Sequence, residues 1–264
     1  MTELEKIFNL KNKIAVVTGG LGILGTEYAK ALLRAGCKVA VLDIVEPAPN
    51  HELMKFKKKY PLVFIKADIS KREEVERAFL RLKKTFGLAS ILINNAAIDF
   101  PPVKGAKEIF ENYPLEKWQK ALDVNLTGML ICSQVFGGAM ALSGKGGSII
   151  NISSTYGVVS PDQRIYDGFV KPVAYSVTKS GVLNFTRYLA TYWADKNVRV
   201  NTFTPAGVQG NQSPDFIKKY SQKVPLGRMA KKQEYNGVIL FLASDASSYM
   251  TGSNLIVDGG WTAW

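Results

Sequence analysis

The sequence predicts one α/β domain over residues 1–264, with a doubly wound, parallel seven-stranded sheet flanked by helices. Seven short runs of apolar and β-branched residues alternate with longer amphipathic segments along the whole chain. Each run is continuously apolar, which is typical of strands buried on both faces of a parallel sheet. The 264 residues contain no linker, low-complexity segment or internal repeat, so we expect an undivided domain.

The predicted elements alternate between strand and helix. Gly36 is a C-terminal signal for the first helical segment, and Ser70 with Glu73 forms a capping-box pattern that opens the second. The predicted helices cover 26–35, from 70 towards 87, 114–143, 173–195 and 232–243. The predicted strands cover 13–17, 38–42, 62–65, 91–93, 148–152, 198–200 and 255–257.

Composition narrows the function classes. The 34 Lys and Arg residues exceed the 22 Asp and Glu residues by 12, which favours anionic partners such as nucleic acid, a membrane surface or a phosphorylated substrate. Cys37 and Cys132 have small, apolar neighbours and are interpreted as buried thiols. His51 is the only histidine and lies in a polar stretch, so we expect it at the surface. A Ser-His-Asp triad and a metal site are therefore not expected.

The longest uncharged run, 124–144, is long enough to span a bilayer. It contains Asn125, Thr127, Ser133 and Gln134 as well as several glycines, which favours a buried helix of a soluble protein. The N-terminal residues include acidic side chains and no apolar signal region. The sequence therefore predicts a cytoplasmic protein without a membrane partner.

A glycine-rich loop follows the first predicted strand and opens the first helix. Gly20, Gly22 and Gly25 satisfy the pattern G-x-G-x-x-G, whose glycines let the backbone turn sharply and approach a pyrophosphate at a helix N-terminus. Asp43 ends the second strand, where a carboxylate can accept hydrogen bonds from ribose hydroxyls and repel a 2′-phosphate. This pattern predicts NAD as the cofactor, with NADP less favoured. The alternative is that Asp43 only terminates a strand.

Tyr175 and Lys179 are spaced to share one face of a helix. A phenol has a pKa of about 10, and a neighbouring ammonium favours the phenolate and lowers that pKa. This spacing alone is common on helix surfaces. Further motifs surround it in a fixed order: the loop at 18–25, Asp68-Ile69, Asn94-Asn95-Ala96-Ala97, Asn125, Ile152-Ser153-Ser154, Pro205-Ala206-Gly207, and Thr251-Gly252 with Asp258-Gly259-Gly260.

Taken together, these motifs resemble the compact, single-domain branch of the short-chain dehydrogenase/reductase family over essentially the whole chain. The resemblance implies a Rossmann fold and NAD(P)-dependent hydride transfer between nicotinamide and a secondary alcohol or carbonyl. It implies that Tyr175 is the general acid/base, that Lys179 binds the nicotinamide ribose and lowers the pKa of Tyr175, and that Ser154 hydrogen-bonds the reacting oxygen. Asn125 matches the position that holds a water in a proton relay with Lys179. The cofactor contacts implied are Gly19, Leu21, Gly22, Ile23, Leu24, Asp43, Ile44, Asp68, Ile69, Asn95, Ala96, Ala97, Tyr175, Lys179, Pro205, Gly207 and Val208.

The chain departs from the family pattern at three places. The loop spacing T-G-x-x-G-x-x-G is more typical of the extended branch of the family. An insertion at about 160–172 is expected over the active-site mouth, where Arg164 and Lys171 are candidates for binding an anionic substrate. A mobile substrate lid is expected at about 207–225, where Gln209, Asn211 and Gln212 could hydrogen-bond sugar hydroxyls. For both segments, a solvated loop without a role in binding is the alternative.

The chain is similar, more loosely, to bacterial oxidoreductases of surface-sugar pathways, which include flagellin-modification and nonulosonic-acid enzymes. This resemblance implies a sugar or nucleotide-sugar substrate. A free sugar-acid or polyol dehydrogenase and a 3-oxoacyl-type reductase are alternatives within the family. Outside it, the basic stretch 55–60 allows a nucleic-acid-binding protein, and a non-catalytic Rossmann protein is also possible. Small residues in the helices after 124 and 175 match the family's subunit interfaces, so we expect a homo-oligomer, a homotetramer in preference to a dimer, that does not bind nucleic acid. Burial of these residues in a monomer core is the alternative.

Overall fold

A computed structural model describes residues 2–100, 109–166 and 169–264. Its centre is a seven-stranded sheet in the order β3-β2-β1-β4-β5-β6-β7, and all paired strands are parallel. The predicted fold class is confirmed. The strands are β1 (Ile14–Thr18), β2 (Lys38–Asp43), β3 (Leu62–Lys66), β4 (Ile91–Asn94), β5 (Gly147–Ile152), β6 (Val198–Pro205) and β7 (Asn254–Val257).

Helices cover the sheet. They are α1 (Glu3–Ile7), α2 (Ile23–Arg34), α3 (Glu52–Lys57), α4 (Arg72–Thr85), α5 (Leu115–Leu122), α6 (Gly128–Cys132), α7 (Gly138–Leu142), α8 (Val173–Tyr192), α9 (Pro214–Ser221) and α10 (Asn236–Ala243). Two π-helical turns, Asp123–Thr127 and Ser133–Gly137, join α5, α6 and α7 into one helix of 28 residues, Leu115–Leu142. By length and composition this helix could cross a membrane, but 56% of its most apolar stretch is buried inside the fold.

Alternate residues of β1 pack on opposite faces of the sheet. Ala15 and Val17 of β1 belong to one buried cluster, and Val16 belongs to the other. This explains why β1 is apolar from Ile14 to Val17, since both of its faces are covered. The chain runs from β1 outwards to β2 and β3, then returns to β4 on the other side of β1. The strand order therefore reverses between β1 and β4, and a crevice is expected at their carboxyl ends.

The predicted capping box at Ser70 is wrong. Lys71 occupies the N-cap of α4 and makes no capping hydrogen bond. The Ser70 hydroxyl instead donates to Asp68 Oδ1 at 2.7 Å, and the Ser70 amide donates to the same oxygen at 3.0 Å. Asp68 thus forms a local turn, and the Ser70 hydroxyl is hydrogen-bonded to Asp68 instead of capping α4. The Glu74 carboxylate accepts from the Asp68 amide at 2.8 Å and fixes that turn against the helix.

His51 is not the solvated surface residue that its polar neighbours suggested. The ring is half-buried, and its Nδ1 accepts from the Leu53 amide at 3.2 Å, which caps α3. Its Nε2 lies 3.3 Å from the Leu21 carbonyl oxygen in the glycine-rich loop. The two cysteines are free and buried, as predicted, and burial raises the pKa of each thiol to about 12.

The aromatic residues of the basic stretch 55–60 are occupied by intramolecular packing. Phe56 packs against the core and stacks on Tyr60 at 5.5 Å between ring centroids. Lys30 and Arg34 of α2 lie over the Phe56 ring, at 5.9 and 5.3 Å from its centroid. The aromatic side of this stretch is therefore packed, which leaves Phe56 unsuited to base stacking with a nucleic acid.

Candidate active site

The crevice at the carboxyl ends of the strands consists of two adjoining cavities. The outer cavity, of about 670 Å³, lies beyond β1, β2, β3 and β4. The inner cavity, of about 510 Å³, lies beyond β4, β5 and β6 and reaches α8 and α9. The two share part of their walls, so they form one groove from Asp43 to Tyr175. The shared wall consists of Ile23, Leu24, Asn95, Ala97 and Ile98.

The glycine-rich loop is held against β4 by a small set of hydrogen bonds. The Thr18 hydroxyl accepts from the amides of Asn95 and Ala96, each at 3.0 Å. The Asn95 side-chain amide donates to the carbonyls of Thr18 and Gly19, each at 3.0 Å. These bonds make the loop a rigid part of the groove rather than a free turn.

The glycines of this loop have different tasks. Gly19 has a φ of +58°, and a Cβ there would lie 2.7 Å from the Ala96 Cα. A Cβ on Gly25 would lie 2.3 Å from the Gly19 carbonyl oxygen, so packing requires glycine at both positions. Gly22 is exposed, caps α2 with a φ of −72°, and a Cβ there would meet only the Gly19 oxygen at 3.4 Å. Gly22 therefore leaves open the approach of a ligand to the helix N-terminus.

Asp43 closes the outer end of the groove. Its Oδ2 accepts from the Leu21 amide at 3.0 Å, so the carboxylate also holds the glycine-rich loop in place. Beside it, the apolar side chain of Ile44 is 59% exposed, and that of Ile23 at the mouth of the loop is 65% exposed. Exposed apolar walls next to a carboxylate and an open helix N-terminus suit the rings, ribose and pyrophosphate of a dinucleotide.

All of the residues expected to contact the cofactor lie in the walls of this groove. Those in the outer cavity are Gly19, Leu21, Gly22, Ile23, Leu24, Asp43, Ile44, Asp68, Ile69, Asn95, Ala96 and Ala97. Those in the inner cavity are Tyr175, Lys179, Pro205, Gly207 and Val208, together with Ile23, Leu24, Asn95 and Ala97 from the shared wall. The residues present therefore fit a dinucleotide that extends from Asp43 to Tyr175.

Ser154, Tyr175 and Lys179 meet in the inner cavity. Ser154 follows β5, and its Oγ accepts from the Tyr156 amide at 3.2 Å, which fixes the hydroxyl at the start of a 3₁₀ turn. Lys179 is buried on α8, and its Nζ donates to the Ile152 carbonyl at 2.8 Å. The Nζ lies 5.8 Å from the centroid of the Tyr175 ring. The three side chains thus surround the space in which a small alcohol or carbonyl compound could react.

The proton affinities in this cavity differ from the expectation based on sequence. Burial raises the pKa of Tyr175 to about 12, and its hydrogen bond with the Ser154 hydroxyl lowers that pKa. Burial lowers the pKa of Lys179 to about 8. The Tyr175 pKa is therefore shifted upwards, opposite to the predicted lowering by Lys179, since burial disfavours the charged phenolate.

Asn125 acts as a link between segments. It lies in the first π-helical turn and is buried. Its Oδ1 accepts from the Ile98 amide at 2.8 Å, and its Nδ2 donates to the Ile98 carbonyl and to the Thr178 hydroxyl, each at 3.0 Å. The side chain thereby joins the segment after β4 to α8, which carries Tyr175 and Lys179.

The expected substrate residues are distributed unevenly. Arg164 is turned towards Asp162, which accepts from its Nε and Nη2 at 2.8 Å each, and it is outside the described walls of both cavities. Gln209 and Asn211 are exposed and also lie outside those walls. Lys171 and Gln212 do line the inner cavity. Residues 167 and 168 of the insertion lie outside the described part of the chain.

The inner cavity also contains residues that the sequence did not reveal. Asp99 follows the Asn94-Asn95 motif and is paired with Lys171. The Tyr166 hydroxyl donates to the Tyr156 hydroxyl at 2.8 Å, and the Tyr220 hydroxyl accepts from the Gly207 amide at 2.7 Å. The Tyr220 ring stacks on buried Trp261 with 4.4 Å between centroids, which anchors the expected lid segment to the C-terminal residues. Only the position of Asp99 next to a recognised motif could have indicated any of them.

Comparisons with known proteins agree with this geometry. A family model described as enoyl-(acyl carrier protein) reductase matches residues 22–262. The chain is 32% identical to an NAD-dependent glycerol dehydrogenase from Listeria innocua serovar 6a, over 98% of this chain and 97% of that protein. It is 34% identical to a ribulose-forming D-arabinitol 2-dehydrogenase from Candida tropicalis, over 97% and 95% of the two chains.

A solved structure of similar fold is a short-chain dehydrogenase from Leptospira borgpetersenii serovar Hardjo-bovis with bound NAD+. It superposes with a TM-score of 0.86 at 37% identity, over 96% of this chain and 93% of that chain. The region matched by the family model includes the glycine-rich loop from Gly22 onwards. It also includes Ser154, Tyr175 and Lys179. The chain therefore belongs to the short-chain dehydrogenase/reductase family and is an NAD(P)-dependent oxidoreductase that acts on CH–OH groups.

Proposed function

We propose that the protein is an NAD-dependent dehydrogenase that interconverts a secondary alcohol of a sugar or polyol with the corresponding ketone. The observation that carries this proposal is the convergence of Ser154, Tyr175 and Lys179 at the inner end of a groove whose outer end is Asp43. The polyol relatives support the substrate class, because they match nearly the full length of this chain.

The chemistry of proton transfer rests on the side chains of the inner cavity. A bound nicotinamide supplies the two-electron oxidation or reduction at the substrate carbon. In the oxidising direction, Tyr175 accepts the proton of the substrate hydroxyl, while the Ser154 hydroxyl orients the same oxygen. In the reducing direction, Tyr175 returns the proton and both hydroxyls stabilise the negative charge that develops on the oxygen. Lys179 supplies positive charge beneath the phenol, and Asn125 holds the helix that carries both residues.

The preference for NAD over NADP follows from the position of Asp43. Its carboxylate is tied to the Leu21 amide at the outer end of the groove, so it cannot turn away from a ribose bound there without losing that hydrogen bond. A 2′-phosphate at this ribose would place a second negative charge beside the carboxylate.

We also infer that the protein is cytoplasmic and forms a homo-oligomer. Leu142 at the end of the long helix is 91% exposed, and Tyr188 and Tyr192 of α8 are 63% and 64% exposed with their rings stacked. These side chains border a groove shared by the two helices. Exposed aromatic and aliphatic side chains of this kind are typical of subunit contacts.

The proposal is tested by measuring nicotinamide reduction with NAD and with NADP across four substrate classes. These are neutral polyols, sugar acids, nucleotide-linked sugars and simple secondary alcohols. We expect turnover with polyols, and kcat/KM higher with NAD than with NADP. Turnover confined to nucleotide-linked sugars, or a preference for NADP, would contradict the proposal. Reduction of a 3-oxoacyl thioester with NADH in place of any sugar would favour the acyl-reductase alternative.

The pH dependence of alcohol oxidation provides a separate test of Tyr175 and Ser154. Because burial raises the pKa of Tyr175, little phenolate exists at neutral pH, and kcat/KM for oxidation should rise by about tenfold per pH unit through the weakly alkaline range. Ser154→Ala removes the hydrogen bond that lowers this pKa, so the alkaline limb should move to higher pH. The matched control is Ser180→Ala, which changes an exposed serine on α8, the helix that carries Tyr175. This variant should leave the pH profile unchanged. An unshifted profile in Ser154→Ala would show that Ser154 does not act on the phenol.

A further inference from the structure

An ion pair lies in the wall of the inner cavity, next to the phenol that we place in proton transfer. The Lys171 ammonium is paired with the Asp99 carboxylate, and its nitrogen lies 4.4 Å from the centroid of the Tyr175 ring. Asp99 lies just after β4, and Lys171 lies just before α8, so two separate parts of the chain bring the charges together. Both side chains belong to the described walls of the cavity that contains Ser154 and Lys179.

The pairing changes what Lys171 can bind. An isolated lysine in this wall would attract an anionic substrate, which is the role that its sequence position suggests. Asp99 neutralises that charge, and its own Oδ1 is buried without a hydrogen-bond partner among the residues the structure describes. The two charges therefore depend on each other, and the cavity does not offer an uncompensated cation at this position.

The pair presents a hydrogen-bond acceptor and a donor side by side. The Asp99 side chain is 32% exposed and that of Lys171 is 12% exposed, and both line the cavity. Because Oδ1 is buried, the Asp99 oxygen that can meet a ligand is Oδ2, the one that is paired with Lys171. A carboxylate only accepts hydrogen bonds, and an ammonium has three N–H donors, of which Asp99 uses only part. A hydroxyl both donates and accepts, so neighbouring hydroxyls match this pair. A substrate carboxylate can only accept, and would place negative charge beside Asp99.

The negative charge of Asp99 also acts on Tyr175 and Lys179. Asp99 lines the same cavity as Tyr175 and Lys179. Beside the larger effect of burial, its carboxylate raises the pKa of both groups. If the reacting oxygen of a substrate is bound at Tyr175, the hydroxyls on the neighbouring carbons thus lie close to the Asp99 carboxylate.

We propose that the Asp99–Lys171 pair recognises a hydroxyl group next to the reacting carbon, and that it selects neutral polyols and ketoses over sugar acids. This inference rests on the proposed function and specifies the substrate class of the same site. Asp99 and Lys171 act in substrate specificity, whereas Ser154 and Tyr175 act on the reacting oxygen.

The test compares three compounds: a polyol substrate, its analogue without the hydroxyl next to the reacting carbon, and the corresponding sugar acid. Each is assayed for kcat/KM, and for binding to the enzyme–NADH complex by calorimetry. The variants are Asp99→Asn, Lys171→Met and the double variant, which removes both charges and so leaves no unpaired carboxylate in the cavity wall. Glu3→Gln, which breaks the exposed ion pair of Glu3 with Lys6, is the control.

We expect the wild-type protein to prefer the polyol over the deoxy analogue by about 10- to 100-fold, the range for hydrogen bonds to charged groups. That ratio should fall towards one in all three variants, with an increased KM, while NADH affinity stays the same. Asp99→Asn should also gain activity on the sugar acid, because it leaves Lys171 uncompensated. Glu3→Gln should retain the wild-type ratio.

Two results would overturn the inference. One is an unchanged ratio in Asp99→Asn and the double variant. The other is a wild-type preference for the sugar acid that is lost in Lys171→Met. Calorimetry separates this inference from the proposed function: hydroxyl-dependent binding that needs Asp99, in a protein without turnover, would refute only the latter. Turnover of polyols without any dependence on Asp99 would refute only the inference.

Discussion

Replacing Tyr175 with Phe is expected to lower kcat by about 10²- to 10⁴-fold, the range that a positioned general acid/base contributes. The variant keeps the ring, which the Lys171 ammonium overlies, and removes only the hydroxyl that exchanges a proton with the substrate. Dinucleotide affinity should remain within about threefold, because most of the groove is formed by other residues. Steady-state kinetics and a fluorescence titration with NADH measure the two effects.

Tyr166→Phe provides the matched control for this variant. Tyr166 also lines the inner cavity, but its hydroxyl donates to the Tyr156 hydroxyl and is a structural group. Removing it costs one hydrogen bond, so we expect an effect on kcat of about tenfold or less. Equal losses in the two variants would mean that the cavity needs an intact set of phenols and that Tyr175 has no special part. If the Tyr175→Phe variant retains turnover, Tyr175 is not the group that exchanges a proton with the substrate.

Gly25→Ala is expected to disrupt the glycine-rich loop. The added Cβ would lie 2.3 Å from the Gly19 carbonyl oxygen and 2.7 Å from the Gly20 Cα, so backbone atoms must move apart. Overpacking of this kind lowers the free energy of unfolding by about 1–3 kcal/mol. The same displacement separates the loop from α2, so dinucleotide affinity should fall by more than about tenfold. Urea denaturation and NADH titration measure the two quantities.

Gly22→Ala separates folding from binding in the same loop. Its Cβ meets only one atom, at 3.4 Å, and its φ of −72° suits any residue, so stability should change by about 0.5 kcal/mol or less. The new methyl group would stand at the mouth of the loop, so NADH should bind more weakly. Wild-type NADH affinity in Gly22→Ala would show that the dinucleotide does not approach the backbone there. Wild-type stability in Gly25→Ala would show that the loop yields more easily than its packing implies.

The sequence by itself determined the sheet, the loop and the order of the motifs. β1 could be predicted because burial on both faces favours a continuous apolar run, here Ile14 to Val17, and that requirement is local. The glycine-rich loop could be predicted from Gly20, Gly22 and Gly25, and packing in the structure requires glycine at Gly25 and also at Gly19. Asp43 could be assigned to the outer end of the groove because it is the last residue of a strand whose carboxyl end faces the crevice.

Only the tertiary structure decided which polar groups meet. Ser70 looked like a helix cap until Asp68 was seen to bind it, and His51 looked solvated until its ring was found against the loop at Leu21. Arg164 and Lys171 were equivalent cations in the sequence, yet one is turned to Asp162 and the other to Asp99 inside the cavity.

The pKa of Tyr175 is a second property that could not be predicted from the sequence. Spacing along α8 predicted a favourable ammonium nearby, but it contained no information on burial, which raises that pKa to about 12. Periodicity and glycine patterns report on neighbours within one element, and these determine secondary structure and loop shape. Charge pairing and desolvation depend on atoms that are distant in sequence, such as Asp99 and Lys171, so they are determined only when the chain has folded.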